Sequence, residues 1–214
     1  VYYQQQIVEC EKKIEELLKQ CTAQIDNVKA AELTRSNKQA RYHNDVTFDI
    51  EQYAYQLWGV NVMKLPGLNK NAVLRLASEL GVDFVEKFGD RRRFTSWANL
   101  VPNNKISGGK LLSSRVPNRK NPVGQIFRQS ANSLWRAQGP IGDYFRTMRA
   151  RKGHLAAMVA TGHKLATIFF TMVEKKQEYD EKIYAAHHKM AVEHQIIRTQ
   201  AKLARLEKEL TCVA

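Results

Sequence analysis

The residues best suited to chemistry lie at 101–122, VPNNKISGGKLLSSRVPNRKNP, a stretch with three serines, several basic residues and no carboxylate. Ser107 precedes two glycines, and Ser113 and Ser114 precede an arginine. Backbone amides of a Ser-Gly-Gly turn can bind a phosphate, and a serine hydroxyl can attack one. The spacings of the P-loop and of the G-x-S-x-G hydrolase elbow are both missing. Residue types alone therefore favour phosphate binding and leave a nucleophilic serine open.

The charge of the chain also indicates a phosphate-bearing partner. The 214 residues carry a formal net charge of +13, and the pI is about 9.7. From Arg91 to Lys152 there are 14 basic residues and one acidic residue, Asp143. A solvated face would mix both signs, so this block predicts binding to nucleic acid ahead of a membrane surface. Trp97 and Trp135 lie in the block at helical spacing, and we expect them in the core rather than as base-stacking platforms.

Three further features narrow the class of protein. The three cysteines form no C-x-x-C pair, which argues against a disulfide framework or zinc knuckle and favours a reducing compartment. His187, His188 and His194 lack the spacing of a metal-ligand pair, so we expect helix surface and no metal site. His163 and Lys164 interrupt the apolar run LAAMVATGHKLATIFFTMV, which argues against a membrane span. The chain does not begin with methionine, and we expect it to be a segment of a longer protein.

Two long segments without glycine or proline surround the basic block. Hydrophobic residues recur every seven positions from residue 5 to about 36, and four-three spacing recurs between 174 and 211. Both patterns predict long amphipathic helices of the coiled-coil type. An antiparallel pair, self-association and ordinary bundle packing all remain open. The seams comprise Ile7, Ile14, Cys21 and Val28 in the first segment and Val192, Ile196, Thr199, Leu203, Leu206 and Leu210 in the second.

Shorter helices are predicted between these segments. DVTFDIEQYAYQLW has one apolar face with Asp45 as the expected N-cap, and TSWANLV is a short helix with Thr95 or Ser96 as its cap. In VNVMKLPGLNKNAVLRLASELG, a Leu-Pro-Gly-Leu turn separates two helical patterns, and Gly81 is the expected C-cap. This arrangement is that of a helix-hairpin-helix, whose turn can receive a DNA phosphate, or of a corner needed only for packing.

We therefore predict an all-α fold, with at most a short hairpin around the serine loop. A helical domain containing the helix-hairpin-helix spans residues 45–175. Residues 1–44 form a linker or coiled-coil helix before it, and residues 176–214 form an amphipathic helix after it.

Several motifs occur together in a fixed order. LPGL, GDRRRFTSWANLVPNNKISGGKLLSSR, GPIGDYFRTMRARKGHLAAMVATGHKLATIFF and EYDEKIY follow one another over residues 45–185. In this combination the chain resembles the C-terminal half of the IS-one-ten type insertion-sequence transposases. The resemblance implies a DNA recombinase whose serine bonds covalently to a DNA 5′-phosphate, with a structured RNA guiding target and donor choice. It also implies a RuvC-like N-terminal domain with acidic Mg-binding residues, which is missing from this sequence.

The resemblance assigns roles to particular residues. The family's S-G motif falls on Ser107-Gly108, which makes Ser107 the expected nucleophile, with Ser113 and Ser114 as alternatives. Arg115, Arg119 and Arg128 are expected to stabilise the charge of the transition state. The chain departs from many relatives at Asn121-Pro122, where a Gly-Asn pair is common. The predicted nucleic-acid-binding residues are Lys64, Gly67, Lys70, Arg91, Arg92, Arg93, Lys105, Gly108, Gly109, Lys110, Arg115, Arg119, Lys120, Arg128, Arg146, Arg149 and Arg151.

The expected partners are DNA, a guide RNA of the element and further copies of the chain through its long helices, without a membrane. No cofactor is expected in this segment, and Mg²⁺ is expected only for the RuvC-like domain. The resemblance implies a bacterial cytoplasmic, nucleoid-associated protein. The segment alone is expected to be inactive. The competing functions are a non-catalytic nucleic-acid-binding and dimerising module, and a purely structural coiled-coil protein, which leaves the basic block unexplained.

Overall fold

The structure is a computed structural model that describes residues 2–23, 33–36, 46–117, 121–182, 190, 193 and 196–206. It is mostly helical, which confirms the predicted fold class, and its described strands form one antiparallel hairpin at the serine loop. Residues 196–206 are also helical. The helices are α1 (Tyr2–Ala23), α2 (Ile50–Trp58), α3 (Lys70–Leu80), α4 (Phe84–Phe88), α5 (Arg91–Trp97), α6 (Pro122–Ser133), α7 (Pro140–Lys152) and α8 (His154–Lys175); 3-10 turns span Val62–Lys64 and Leu134–Arg136, and the strands are β1 (Asn103–Ser107) and β2 (Lys110–Arg115).

Helix α8 lies at the centre of the bundle, packed against α5, α6 and α7. Its Phe169 and Phe170 are fully buried, and Phe169 meets Trp58 of α2 and Phe127 of α6 edge to face. Each such ring contributes roughly 1.5–3 kcal/mol by leaving water. Among the described helices α8 alone is long and apolar enough to cross a membrane, but more than half of its apolar stretch is buried inside the bundle.

The N-caps of two central helices differ from those predicted. Helix α2 begins at Ile50, where the Asp49 side chain accepts from the Gln52 amide at 3.3 Å; the predicted cap, Asp45, lies outside the described residues. Helix α5 begins at Arg91, so the prediction of Thr95 or Ser96 as its cap is wrong. The Thr95 hydroxyl lies inside the helix and donates to the Arg91 carbonyl. This earlier start places the arginine triplet on the first turn of α5.

The terminal segments only partly follow the predicted long helices. Helix α1 packs on α2 through Ile14 and Leu18, and residues 33–36 are irregular rather than helical. The irregular segment is held because the Ser36 amide donates to the buried Glu51 carboxylate at 2.6 Å. At the other end, the seam positions Ile196, Leu203 and Leu206 are helical and exposed. Cys21 is also exposed, whereas Val28, Val192 and Leu210 lie outside the described residues, as do His187, His188 and His194.

Candidate nucleic-acid interface

The serine loop is a two-stranded hairpin with Ser107 at its tip. Gly108 and Gly109 form the two-residue turn with φ values of +55° and +73°, in the left-handed region that favours glycine. Two consecutive positive φ values match the right-handed twist of the strands, which is the geometry that Gly-Gly turns provide. Ser107 and Lys110 are therefore direct cross-strand partners.

A β-bulge determines which side chains share a face with Ser107. Lys105 pairs with Ser113, but the next residue, Ile106, pairs with Leu111, so Leu112 is the extra residue. Side chains alternate along a strand, and paired residues share a face. The bulge therefore leaves Ser113 and Arg115 on the same face as their partners Lys105 and Asn103. One face carries Asn103, Lys105, Ser107, Lys110, Ser113 and Arg115, and the other carries Asn104, Ile106, Leu111 and Ser114. The hairpin is thus basic and hydroxyl-rich on one face, and the other face is uncharged, with Ile106 and Leu111 as its apolar residues.

Ser107 is exposed, and its hydroxyl has no hydrogen-bond partner among the described residues. The hairpin contains no histidine or carboxylate that could accept the hydroxyl proton. In the described part of the chain, no three His, Cys, Asp or Glu residues group together as a metal site would need. These residues therefore do not provide a Mg²⁺ site beside the serine.

The base of the hairpin is clamped between the end of α5 and the start of α6. Asn121 caps α6 by accepting from the Gly124 amide at 3.0 Å, and its Nδ2 donates to the Trp97 carbonyl at 3.0 Å. A Cβ at Gly124 would lie 1.9 Å from the Ala98 carbonyl oxygen, so only glycine permits this approach. The Arg128 guanidinium donates to the Asn99 carbonyl at 3.3 Å. Three contacts thus fix the chain just before β1 and just before α6.

Arg128 and Arg115, two of the three arginines predicted to stabilise the transition state, lie in different environments. Arg128 is half-buried and braces the carbonyl of Asn99, whereas Arg115 is exposed on the Ser107 face of the hairpin. The third predicted clamp residue, Arg119, and the neighbouring Lys120 lie outside the described residues. Of the two arginines that the structure describes, Arg115 lies on the face of Ser107 and Arg128 does not.

The arginine triplet, Arg91 to Arg93, is exposed on the first turn of α5. Cations at a helix N-terminus oppose the helix dipole, so this placement does not serve the stability of α5. The helix C-terminus lies at the clamp below the hairpin, because Trp97 is its last residue. Seven residues of helix rise only about 10 Å, so the triplet and the hairpin base belong to one region of the surface.

The Leu-Pro-Gly-Leu turn is present but packs against the bundle. A single 3-10 turn, Val62–Lys64, precedes it in place of a full helix, so the helix-hairpin-helix stays a prediction. Lys64 forms a salt bridge with Glu178, and a Cβ at Gly67 would lie 2.8 Å from the Ser130 carbonyl oxygen. Lys70 is half-buried on the first turn of α3. These contacts support a packing role for the turn, and a phosphate contact at the turn stays a prediction.

The two tryptophans of the basic block are exposed, contrary to the prediction that they belong to the core. Trp97 is 42% exposed and packs against Phe88 and Phe94. Trp135 is 39% exposed, with the Cζ atoms of Arg136 and Arg149 lying 4.2 Å and 5.6 Å from its ring centroid. Sequence reasoning therefore missed Trp135 as a surface residue. The sequence feature that indicates its exposure is the L-W-R triplet after α6, in which a buried leucine precedes an aromatic residue and a cation.

Arg146, predicted to bind nucleic acid, is exposed and also supports the backbone next to Trp135. It forms an ion pair with Asp143 and donates to the carbonyls of Ala137 at 2.7 Å and Trp135 at 3.3 Å. Arg149 and Arg151 are exposed near the end of α7 and form no salt bridge within the described residues. Of these three arginines, Arg149 and Arg151 are the two without an ion pair among the described residues, and phosphate binding by Arg146 stays a prediction.

Helix α8 carries two half-buried basic side chains, His163 and Lys164. Burial lowers the pKa of His163 and that of Lys164, whose Nζ lies 4.4 Å over the ring of Tyr144. Burial also raises the pKa of Tyr144. These groups are packing residues with a polar end, as expected for side chains at the edge of a core.

Comparison with known protein families gives one match. Residues 60–146 match the model of the Transposase IS116/IS110/IS902 family, and this stretch includes the L-P-G-L turn, the arginine triplet, the hairpin, Trp135 and Arg136. No curated protein matches the chain. The family match supports a transposase domain of this type and, with it, insertion-sequence transposition in general. A domain of this class acts on DNA.

Proposed function

Starting from this transposase domain, we propose that the chain is the serine-bearing part of an insertion-sequence recombinase, with Ser107 as nucleophile. One observation carries the proposal: Ser107 lies exposed at the tip of a clamped hairpin, on the face that also bears Lys105, Lys110 and Arg115. A reactive hydroxyl must be reachable by a DNA phosphate and surrounded by positive charge. Ser113 shares this face, whereas Ser114 faces the apolar side.

The reaction is a transfer of a phosphoryl group to serine. The Ser107 Oγ attacks phosphorus, an Oγ–P bond forms, and the bond from phosphorus to the 3′-oxygen breaks, leaving the 5′-phosphate on the protein. The serine proton passes to a base, and the departing 3′-oxygen takes up a proton. The cations of the hairpin stabilise the additional negative charge on the phosphoryl oxygens in the transition state. The proton acceptor comes from outside the hairpin, since the hairpin has no titratable base near neutral pH.

The experiment is a covalent-adduct assay on the complete recombination reaction, using 5′-phosphate-labelled element DNA. We expect Ser107→Ala to abolish both the adduct and recombination. Ser114→Ala is the matched control, because it removes the same hydroxyl from the opposite face of the same hairpin. Ser113→Ala tests the alternative on the shared face. An adduct that persists in Ser107→Ala and disappears in Ser113→Ala would transfer the role to Ser113; if it persists in all three variants, the chain is a non-catalytic module.

We propose that duplex DNA lies along the arginine triplet and the basic face of the hairpin. Six exposed cations, the triplet with Lys105, Lys110 and Arg115, are available in this region. If each neutralises one phosphate, the logarithm of affinity falls with the logarithm of salt concentration with a slope of about −5. Replacing the triplet by alanines should reduce this slope by roughly 2–3.

Exposed lysines on α1 provide a control for this slope. Lys12→Ala with Lys13→Ala removes two exposed charges outside the basic block and should leave the slope unchanged. An equal reduction in both variants would mean that DNA binding is a response to net charge, without a defined surface.

The remaining partners are proposed from the resemblance together with the family match. They are a guide RNA of the element and a RuvC-like domain with acidic residues that bind Mg²⁺, in the bacterial cytoplasm at the nucleoid. The described residues themselves offer no group of Mg²⁺ ligands. Accordingly, the purified chain should bind DNA without cleaving it. Mg²⁺-dependent nicking that is lost in Ser107→Ala would show that the chain is active alone.

We also propose self-association through the terminal helices. Ile196, Leu203 and Leu206 lie at four-three spacing and are exposed, as is Ile7 on α1. Burial of these side chains in a coiled coil would remove apolar surface from water. Leu203→Glu with Leu206→Glu should lower the molar mass measured by light scattering, whereas Ile197→Glu, an exposed residue off the seam, should not. Unchanged mass in the double variant would place the interface elsewhere.

A further inference from the structure

The exposed indole of Trp135 lies within a cluster of two guanidinium groups that the proposed DNA surface does not use. Arg136 comes from the same 3-10 turn and Arg149 from α7. Their Cζ atoms lie 4.2 Å and 5.6 Å from one ring centroid, which places the two charges within about 10 Å of each other. We refer to Trp135, Arg136 and Arg149 as the Arg-Trp-Arg cluster.

The cluster is held in place by the surrounding backbone. Leu134 is buried beneath it, and Arg146 donates to the carbonyls on both sides of Arg136, those of Trp135 and Ala137. Asp143, the acidic residue of the basic block, pairs with Arg146 and not with the cluster. The turn is thus fixed before any ligand arrives, which reduces the entropy lost on binding.

Stability of the fold does not account for the cluster. Within the described residues, neither Arg136 nor Arg149 forms a salt bridge, and both are exposed. Each cation–π contact at an exposed site contributes only about 0.5–1 kcal/mol, and the two guanidinium groups repel each other. An anion between them would remove that repulsion. An aromatic plane beside two guanidinium groups is the chemistry that binds a nucleotide, with the base stacked and the phosphate paired.

We propose that the Arg-Trp-Arg cluster binds an unpaired nucleotide, in either single-stranded DNA or a single-stranded region of RNA. This inference rests on the proposed function, because it assumes a nucleic-acid partner. The ligand is unpaired because the faces of bases inside a duplex are covered by their neighbours, whereas the face of an unpaired base is free to stack. The base stacks against the exposed indole, and Arg136 and Arg149 pair with the flanking phosphate.

The cluster lies at the opposite end of α6 from the hairpin clamp. Helix α6 has 12 residues, which corresponds to about 18 Å along its axis. At 3.4 Å per base pair this is about five base pairs of duplex. Contact with an unpaired nucleotide is therefore separate from the contact made by Ser107, and the two can be tested independently.

The test compares the affinities of three probes of equal length: a 12-nucleotide DNA strand, the same sequence as RNA, and the DNA duplex. Trp135→Leu keeps an apolar side chain but removes the stacking plane. We expect it to weaken binding of a single strand about 5- to 100-fold, and binding of the duplex less than twofold. Trp135→Tyr, which keeps an aromatic ring, should bind single strands within about threefold of the parent protein.

Trp97→Leu is the matched control, since Trp97 is equally exposed but contacts phenylalanine rings instead of arginines. It should leave all three affinities unchanged. Arg136→Gln with Arg149→Gln should reduce the salt slope for single strands by roughly 1.4. If Trp135→Leu weakens binding of one single-stranded probe more than the other, the more affected probe, DNA or RNA, identifies the nucleic acid that supplies the nucleotide. Equal losses identify a site that does not read the 2′-hydroxyl.

The inference is overturned if Trp135→Leu weakens duplex and single strands equally, or weakens neither while the duplex still binds. Thermal unfolding of each variant separates loss of the site from loss of the fold. Failure of the proposed function gives a different result: either no probe binds with salt dependence, or the covalent adduct persists in Ser107→Ala. Loss of single-strand affinity in Trp135→Leu would still stand if Ser107 proved not to be the nucleophile.

Discussion

Asn121 makes two contacts that together hold the base of the hairpin on the bundle. Variants of Asn121, compared with a variant of another N-cap, separate the energies of the two contacts. The Asn121 side chain accepts from the Gly124 amide as the N-cap of α6, and donates to the Trp97 carbonyl across the hairpin base. Loss of an N-cap costs typically about 1 kcal/mol. The second bond, at a partly exposed position, contributes roughly 0.5–1 kcal/mol. Asn121→Ala should therefore lower the free energy of unfolding by about 1.5–2 kcal/mol.

A matched variant isolates the second contact. Asn69 caps α3 by accepting from the Ala72 amide at 2.8 Å, and it is exposed. Asn69→Ala should cost only the cap, about 1 kcal/mol. For a chain of this length each kcal/mol lowers Tm by roughly 2–4 °C. Asn121→Asp adds a third point, because aspartate keeps the cap but cannot donate to the carbonyl.

Urea unfolding and amide hydrogen exchange provide the readouts. Beyond its larger effect on unfolding, Asn121→Ala should raise exchange rates in the hairpin, because the clamp holds the hairpin base. Asn69→Ala should leave hairpin exchange unchanged. Equal unfolding free energies for the two alanine variants, with equal hairpin exchange, would refute the clamp: Asn121 would then be an N-cap and nothing more.

Three further outcomes follow from other contacts. Gly124→Ala would place a Cβ 1.9 Å from the Ala98 carbonyl oxygen and should lower unfolding free energy by about 1–3 kcal/mol; an unchanged urea midpoint would contradict this close approach. Burial, followed by the hydrogen bond to Glu15, raises the pKa of Tyr53 to about 12. The contribution of Tyr53 to the free energy of unfolding should therefore be complete below pH 10 and be lost as the pH rises towards 12. Tyr53→Phe should abolish that loss in urea titrations. Burial lowers the pKa of His163, so stability should fall as pH drops below about 6.5. His163→Gln should flatten this dependence in urea titrations, and an unchanged pH dependence would contradict the assignment to His163.

The helical elements could be predicted because each signal was local or periodic. Apolar spacing of three and four residues predicted the central helices, and Gly81 at φ +70° ends α3 as expected. The caps of α2 and α5 could not be chosen locally, since several cap-type residues precede α2, and α5 contains Thr95 and Ser96 in addition to the Asp90 before it. Tertiary packing bears on that choice: Phe94 is buried against Phe84 and Phe88, and the helix that carries it begins before Thr95, at Arg91.

The candidate site was harder to predict because its features depend on non-local geometry. Helical spacing placed Trp135 in the core, but the chain changes from α to 3-10 geometry at Leu134, and the α-helical period no longer applies there. The role of Arg128 depends on a carbonyl 29 residues earlier in the chain. The bulge that determines the face of Ser113 depends on pairing between strands, and no residue type in the loop specifies it.

The extra residue of the hairpin, Leu112, affects how insertions and deletions in this loop act during evolution. Deleting it would restore a regular ladder with the same pairs, so Ser113 and Arg115 would stay on the face of Ser107. A regular ladder that kept Leu112 would pair it with Lys105 and would carry Ser113 and Arg115 to the opposite face. Removing one matched pair of residues, one from each strand, would shorten the hairpin and preserve the relation between the remaining pairs. Length changes here therefore have to be counted against the bulge: loss of the extra residue keeps the chemistry of both faces, whereas loss of the bulge with all residues kept exchanges the faces of Ser113 and Arg115. Length variation in the loop is informative only when counted in this way.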